Sequence, residues 1–153
     1  MEEVVEITAR VAIILDHKGR AVYSVSPYAT VFEAIQELAD RNVGALVVLQ
    51  QEHLLGIFSE RDYTRNLALH GRSSKETRVM DVMSDALVTV TTETPVTECM
   101  RLMTDRRVRH LPVLDDGRVV GIISIGDLVN FIINTQRETI EQLHSYISGT
   151  YPR

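Results

Sequence analysis

Residues 54–63, "LLGIFSERDY", and residues 119–128, "VVGIISIGDL", carry Gly, Ile, Ser and Asp in the same order at the same distances. Gly121 minus Gly56, Ser124 minus Ser59 and Asp127 minus Asp62 all give 65. At that offset residues 22–67 align with 87–132 without a gap: Val31 meets Val96, Glu33 meets Glu98, and Asp40 and Arg41 meet Asp105 and Arg106. The period exceeds that of most solenoids, and two copies are too few for one. Two units packed about a pseudo-twofold are expected, spanning 1–72 and 73–153, with repeat cores 22–67 and 87–132.

Each copy reads β-α-β-β-α, an α/β (α+β) fold. In the first, "AVYSV" is a short strand and "TVFEAIQELADRNV" a helix with Val31, Ile35, Leu38 and Ala39 on one face. Thr30 and Glu33 have capping-box spacing at its start. "ALVVL" and "LLGIF" are strands joined by "QQEH", and a second helix begins near Ser59. In the second copy "LVTV" is a strand, and Thr94 with Pro95 suits an N-cap followed by proline at the first helical position. Val96, Cys99, Met100 and Met103 form the apolar face of the next helix. "HLPVL" and "VVGII" follow, split by a turn at Gly117. The bridge at 70–78 is polar and expected to be a mobile loop leading into a helical turn around "VMDVM". An extended final helix runs from about Gly126 into the 140s. Its stripe of Leu128, Phe131, Ile132, Ile140, Leu143 and Ile147 has no partner left within the chain, which points to a subunit interface.

The 153 residues are 44% hydrophobic and 24% charged, ordinary for one domain or for two small halves sharing a core. A net charge of -5 argues against general nucleic-acid binding. A single cysteine excludes an intramolecular disulfide and any Cys-based zinc site, and fits a reducing compartment. No apolar run approaches the ~20 residues that span a bilayer, and "MEEVVEITAR" lacks the pattern of a signal peptide. The cytoplasm, with no membrane partner, is the expectation.

Ser59 and Ser124 stand where a strand becomes a helix, with Asp62 and Asp127 three residues on. One reading is a helix start, with Ser as N-cap and the acid favoured by the helix dipole. The reciprocal half of that box normally uses Glu or Gln, and Asp is one methylene shorter. An aspartate there is therefore expected to point outward, free to accept hydrogen bonds from a diol. A helix N-terminus with unpaired N–H groups also suits a phosphate.

Two β-α-β-β-α copies, each ending in G-h-h-S-x-x-D (h apolar), resemble a tandem cystathionine-β-synthase (CBS) domain pair, or Bateman module. "GIFSERDY", "RVRHLPV" and "VVGIISIGDLV" further resemble stand-alone bacterial CBS-pair signal-transduction proteins. The resemblance implies a non-catalytic regulatory module that binds an adenine nucleotide (AMP, ADP, ATP or NAD(H)) as ligand rather than catalytic cofactor. It further implies a homodimer that signals to a regulated protein by conformational change. Two clefts are implied. One joins Ser124, Ile125 and Asp127 to Tyr23 and the backbone of Val43, Gly44 and Ala45. The other joins Ser59, Arg61 and Asp62 to Val88 and the backbone of Val108, Arg109 and His110. The first copy reads "SERD" where the second has Ile125 and Gly126, so Arg61 is the leading phosphate ligand, helped by Arg107, Arg109 and His110. The family's N-terminal helix is poorly matched by "TARVAIILDHKGR".

The five histidines show no i,i+4 pair and no HExxH, so no metal site is expected. Cys99 reads as a small core hydrophobe. There is no GxSxG elbow and no P-loop. Two further readings stay open: a ligand-independent dimerisation or adaptor protein whose Ser and Asp only cap helices, and a small nucleotide-directed enzyme.

Overall fold

The computed structural model describes the backbone of residues 8–147 and the side chains through residue 138. Helix α1 (Val11–Lys18) precedes the first repeat, which comprises β1 (Ser24–Val25), α2 (Val31–Arg41), β2 (Ala45–Gln50), β3 (His53–Ser59) and α3 (Glu60–Asp62). The second comprises β4 (Val90–Thr91), α4 (Val96–Arg106), β5 (His110–Asp115), β6 (Arg118–Ser124) and α5 (Ile125–Ile147). Each repeat has a three-stranded sheet in chain order, the first pair parallel and the second antiparallel. The duplication extends to fine detail. Both hairpins carry a register shift at the same place, between Val48 and Leu49 and between Val113 and Leu114. Asn42 and Arg107, the left-handed C-caps of α2 and α4, are also equivalent.

Local chemistry accounts for most of these elements. Thr30 and Glu33 close the expected capping box on α2, each accepting from the other's backbone N–H at 3.1 Å. On α4 the expectation shifts by one residue: Pro95 is the N-cap and Val96 the first helical residue. The Thr94 hydroxyl instead accepts from Thr91 N–H, and Val96 N–H is satisfied by the Ala9 carbonyl. The buried faces also shift. On α2 they are Val31, Ala34 and Leu38, with Ala39 exposed; on α4 they are Val96, Cys99 and Met103, with Met100 exposed. Burial raises the Cys99 thiol to about 11, so it stays protonated and packs as an apolar group.

The helix starting at Ser59 keeps α geometry for one turn, then widens to a π-helix over Tyr63–Leu67 and ends in a 3-10 turn at Ala68–His70. The Thr64 hydroxyl competes for the Glu60 carbonyl within this stretch. The polar bridge is not loose. The Ser74 and Thr77 carbonyls accept from Phe32 and Val31 N–H, two donors that the start of α2 leaves orphaned.

Two cores result, and each borrows the segment that leads into the other repeat. The first packs Val31, Ala34, Leu38, Leu46, Val48, Phe58 and Leu67 with Val79 and Val82 from the helical turn that follows the bridge. The second packs Val90, Val96, Cys99, Met103, Leu111, Val113, Ile123 and Leu128 with Val11, Ile14 and Leu15 of α1. The poor helix signal at 8–20 thus gives way to a formed helix. Its "VAIIL" run has no amphipathic period to read, because docking in the second core stabilises it rather than a stripe of its own.

The repeated glycines admit these borrowed segments. A Cβ on Gly56 would lie 2.6 Å from the Ser84 carbonyl oxygen, and one on Gly121 would lie 2.7 Å from Leu15 Cδ2. Gly56→Ala is expected to lower stability by about 1–3 kcal/mol. Gly121→Ala is expected to cost less, since a leucine methyl yields more readily than backbone. Urea midpoints at unchanged m-value check both.

Candidate functional site

A cavity of about 740 Å³ opens where the two repeats meet, within the size range of small-molecule sites. From the first repeat it is lined by Gly44, Ile57 and the strand-to-helix junction Ser59, Glu60, Arg61 and Asp62, continuing to Arg65 and Asn66. The segment that follows the helical turn at Val79–Asp81 and the second repeat supply Ser84, Ala86, Leu87, Val88, Arg107, Val108, Arg109 and His110. All seven residues expected in the second-named cleft therefore converge. Arg65, Asn66 and Ser84 were not anticipated. Arg65 was open to detection, lying one helical turn beyond Arg61, whereas Ser84 arrives through tertiary packing alone.

The aspartates do not point outward as expected. Asp62 Oδ2 accepts from Ser59 N–H at 2.9 Å and from Ser59 Oγ at 3.0 Å, while Asp62 N–H donates to Ser59 Oγ at 3.2 Å. Asp127 repeats the box, accepting from Ser124 N–H at 2.8 Å and donating to Ser124 Oγ at 3.1 Å. The extended backbone of the N-cap serine (φ −127°, ψ 165° at Ser59) brings the shorter carboxylate within reach. Asp62 Oδ1 also accepts from Ser84 Oγ at 2.9 Å.

The cavity is electropositive in a chain of net charge -5. Four arginines, Arg61, Arg65, Arg107 and Arg109, line it with only Glu60 and Asp62 as acids. Among the described residues none of the four forms an ion pair. The Arg61 guanidinium is held below its ordinary value, first by desolvation and then by the charges of Arg109 and Arg65. Arg107 reaches the cavity from a left-handed backbone at φ 56°, where the first repeat has asparagine.

The other expected group is divided. Asp127 lines a separate cavity of about 390 Å³ walled by Ile14, His17 and Lys18 of α1 and by α5. Val43 and Gly44 line a third, with Glu60, Tyr63 and Thr64. Tyr23 packs beside the first core with the Arg41 guanidinium 4.8 Å above its ring, and Ala45 is buried. Ser124 caps α5, and Ile125 is exposed. Tyr23, Ala45, Ser124 and Ile125 line none of these three cavities, and Asp127 lines a different one from Val43 and Gly44. Among the described residues, no three His, Cys, Asp or Glu side chains are grouped to hold a metal, and no helix is long and apolar enough to cross a membrane.

His110 connects the two junctions electrostatically. Burial lowers its imidazole below the ordinary value; Lys18 and Arg109 lower it further, against Asp127 and Asp62. The unfolded chain thus binds more protons in the window between the folded value and about 6.5. Stability from the neutral ring is complete above that window and is lost as pH falls through it. Melting temperature is expected to drop more steeply between about pH 7 and pH 5 in wild type than in His110→Gln.

Comparison with known proteins agrees with this architecture. The CBS domain family profile matches residues 18–69 and 79–134. The mitochondrial CBS domain-containing protein CBSX3 of Arabidopsis thaliana is 46% identical over 127 residues, covering 80% of this chain and 62% of that protein, so the chain spans less than two thirds of that relative. The structure of a CBS-domain protein from Burkholderia ambifaria superposes with a TM-score of 0.79 at 44% identity, covering 84% of this chain and 96% of the other. A CBS domain protein from Pyrobaculum aerophilum, solved in complex with AMP, superposes at 0.68 with 28% identity, covering 77% and 88%. The chain belongs to the CBS domain family and carries two such domains in tandem.

Proposed function

We propose that this CBS pair is a non-catalytic regulatory module that binds an adenine nucleotide, of the class AMP, ADP, ATP or NAD(H), in the Asp62 cleft. The observation that carries this is the convergence of Arg61, Arg65, Arg107 and Arg109, none of them ion-paired among the described residues, around one capped carboxylate between the repeats. An anion complements the charge of such a cluster. A phosphate would take charge-assisted bonds from the arginines, each contributing roughly 1.5–3 kcal/mol. The ribose hydroxyls would replace the Ser84 hydroxyl on Asp62, and Val88 and Val108 would cover the base. The AMP complex of the Pyrobaculum relative supports this ligand class. Because both repeats wall the cleft, a ligand there favours one packing of the halves, which a regulated protein can read.

Titration calorimetry with the four nucleotides tests the reading. Arg61→Ala and Asp62→Ala are each expected to weaken binding by about tenfold to 150-fold. Unchanged affinity in both would reject the site. A ligand-independent adaptor predicts no change in melting temperature, whereas nucleotide at 100 times its Kd should add about 2.7 kcal/mol.

We also propose a homodimer built on α5. Leu128 is buried, and Phe131 packs beside the second core. The outward face instead carries Ile125, Val129 and Ile133, 45%, 47% and 44% exposed at one-turn spacing. The side chains of Ile140, Leu143 and Ile147 lie outside the described residues. Val129→Glu is expected to shift the protein from dimer to monomer in light scattering at micromolar concentration. A reducing compartment is proposed on the lone cysteine, and the mitochondrial relative makes the cytoplasm one of several such compartments.

A further inference from the structure

The two repeats are not equivalent at their aspartates. In the first, Ser84 makes both contacts at the junction: its N–H donates to the Ile57 carbonyl at 2.9 Å and its hydroxyl to Asp62 at 2.9 Å. In the second, the equivalent carbonyl, that of Ile122, receives Lys18 Nζ at 2.7 Å, and the same ammonium reaches Asp127 at 2.6 Å through Oδ2, the oxygen that also serves the cap. A neutral hydroxyl that a sugar can replace therefore faces one carboxylate, and an ammonium faces the other. The pair is partly sheltered, with side chains 30% and 21% exposed. Lys18 is held in place by α1, whose Leu15 sits over Gly121 in the second core. A diol spanning both oxygens of Asp127 would have to displace the ammonium from Oδ2 and separate a half-buried pair of opposite charges.

We infer that Lys18 is a built-in occupant of the Asp127 site that closes it to nucleotide and sets the stoichiometry at one ligand per chain. It rests on the nucleotide reading of the Asp62 cleft. Removing the ammonium while keeping the stem opens the second site, because Ser124 and Asp127 keep the geometry of Ser59 and Asp62.

Calorimetry with AMP, ADP, ATP and NAD on wild type and Lys18→Met tests this, with circular dichroism confirming that the variant is folded. One equivalent is expected in wild type and two in the variant. Lys18→Gln, which keeps a donor without the charge, provides a second folded variant and is expected to bind more than one. Two equivalents in wild type, or one in both folded variants, would overturn the inference while leaving the Asp62 cleft intact. Binding to the variants alone would uphold the role of Lys18 and reject the Asp62 assignment. No binding to any protein would sink both.

Discussion

The reciprocal hydrogen bonds between a serine and the aspartate three residues on are the constraint from which the architecture follows. Ser59 and Ser124 end the last strand of their repeats, and their extended backbone directs the chain into a helix whose first free N–H groups the serine and aspartate satisfy. A strand that stopped one residue earlier or later would turn the next helix away from the junction between repeats. The same bonds that start the helix therefore place a carboxylate, and one turn of charged residues after it, at the boundary of the two cores.

Helix capping and ligand binding are often treated as competing explanations for such residues. Here they occupy different atoms of one side chain. At Asp62, Oδ2 holds the helix start and Oδ1 accepts from a serine hydroxyl. At Asp127, Oδ2 serves the cap and also receives Lys18. A shared backbone motif thus carries two different electrostatic settings, determined by segments distant in sequence.

Much of this was legible in the amino-acid order. The offset of 65 located both repeats, and Thr30 with Glu33 marked the start of α2 as its hydrogen bonds do. Ser59, Arg61, Asp62, Val88, Val108, Arg109 and His110 were named from the repeat and the family resemblance, and they line one cavity. What sequence did not disclose depends on long-range packing. The apolar run of α1 has no helical period, since its burial comes from the opposite repeat. Lys18 lies 109 residues from Asp127, and no local pattern marks it as a partner. The aspartates were expected to face outward from the average reach of a capping-box acid, and the N-cap backbone closes the missing methylene. The Arg41 guanidinium over the Tyr23 ring is likewise a contact that no local spacing marks.

The exchange of leading segments has a consequence for biosynthesis. Helix α1 is the first described element to leave the ribosome, yet Leu111, Ile123 and Leu128, which surround its apolar residues, are among the last. Until then Val11, Ile14 and Leu15 have no burial site, and a short isolated helix is marginal in water. The first repeat likewise waits for Val79 and Val82. The first core is therefore complete once Val82 has emerged, whereas the second closes only when its last strand and helix arrive, and α1 stays without its burial site in that interval.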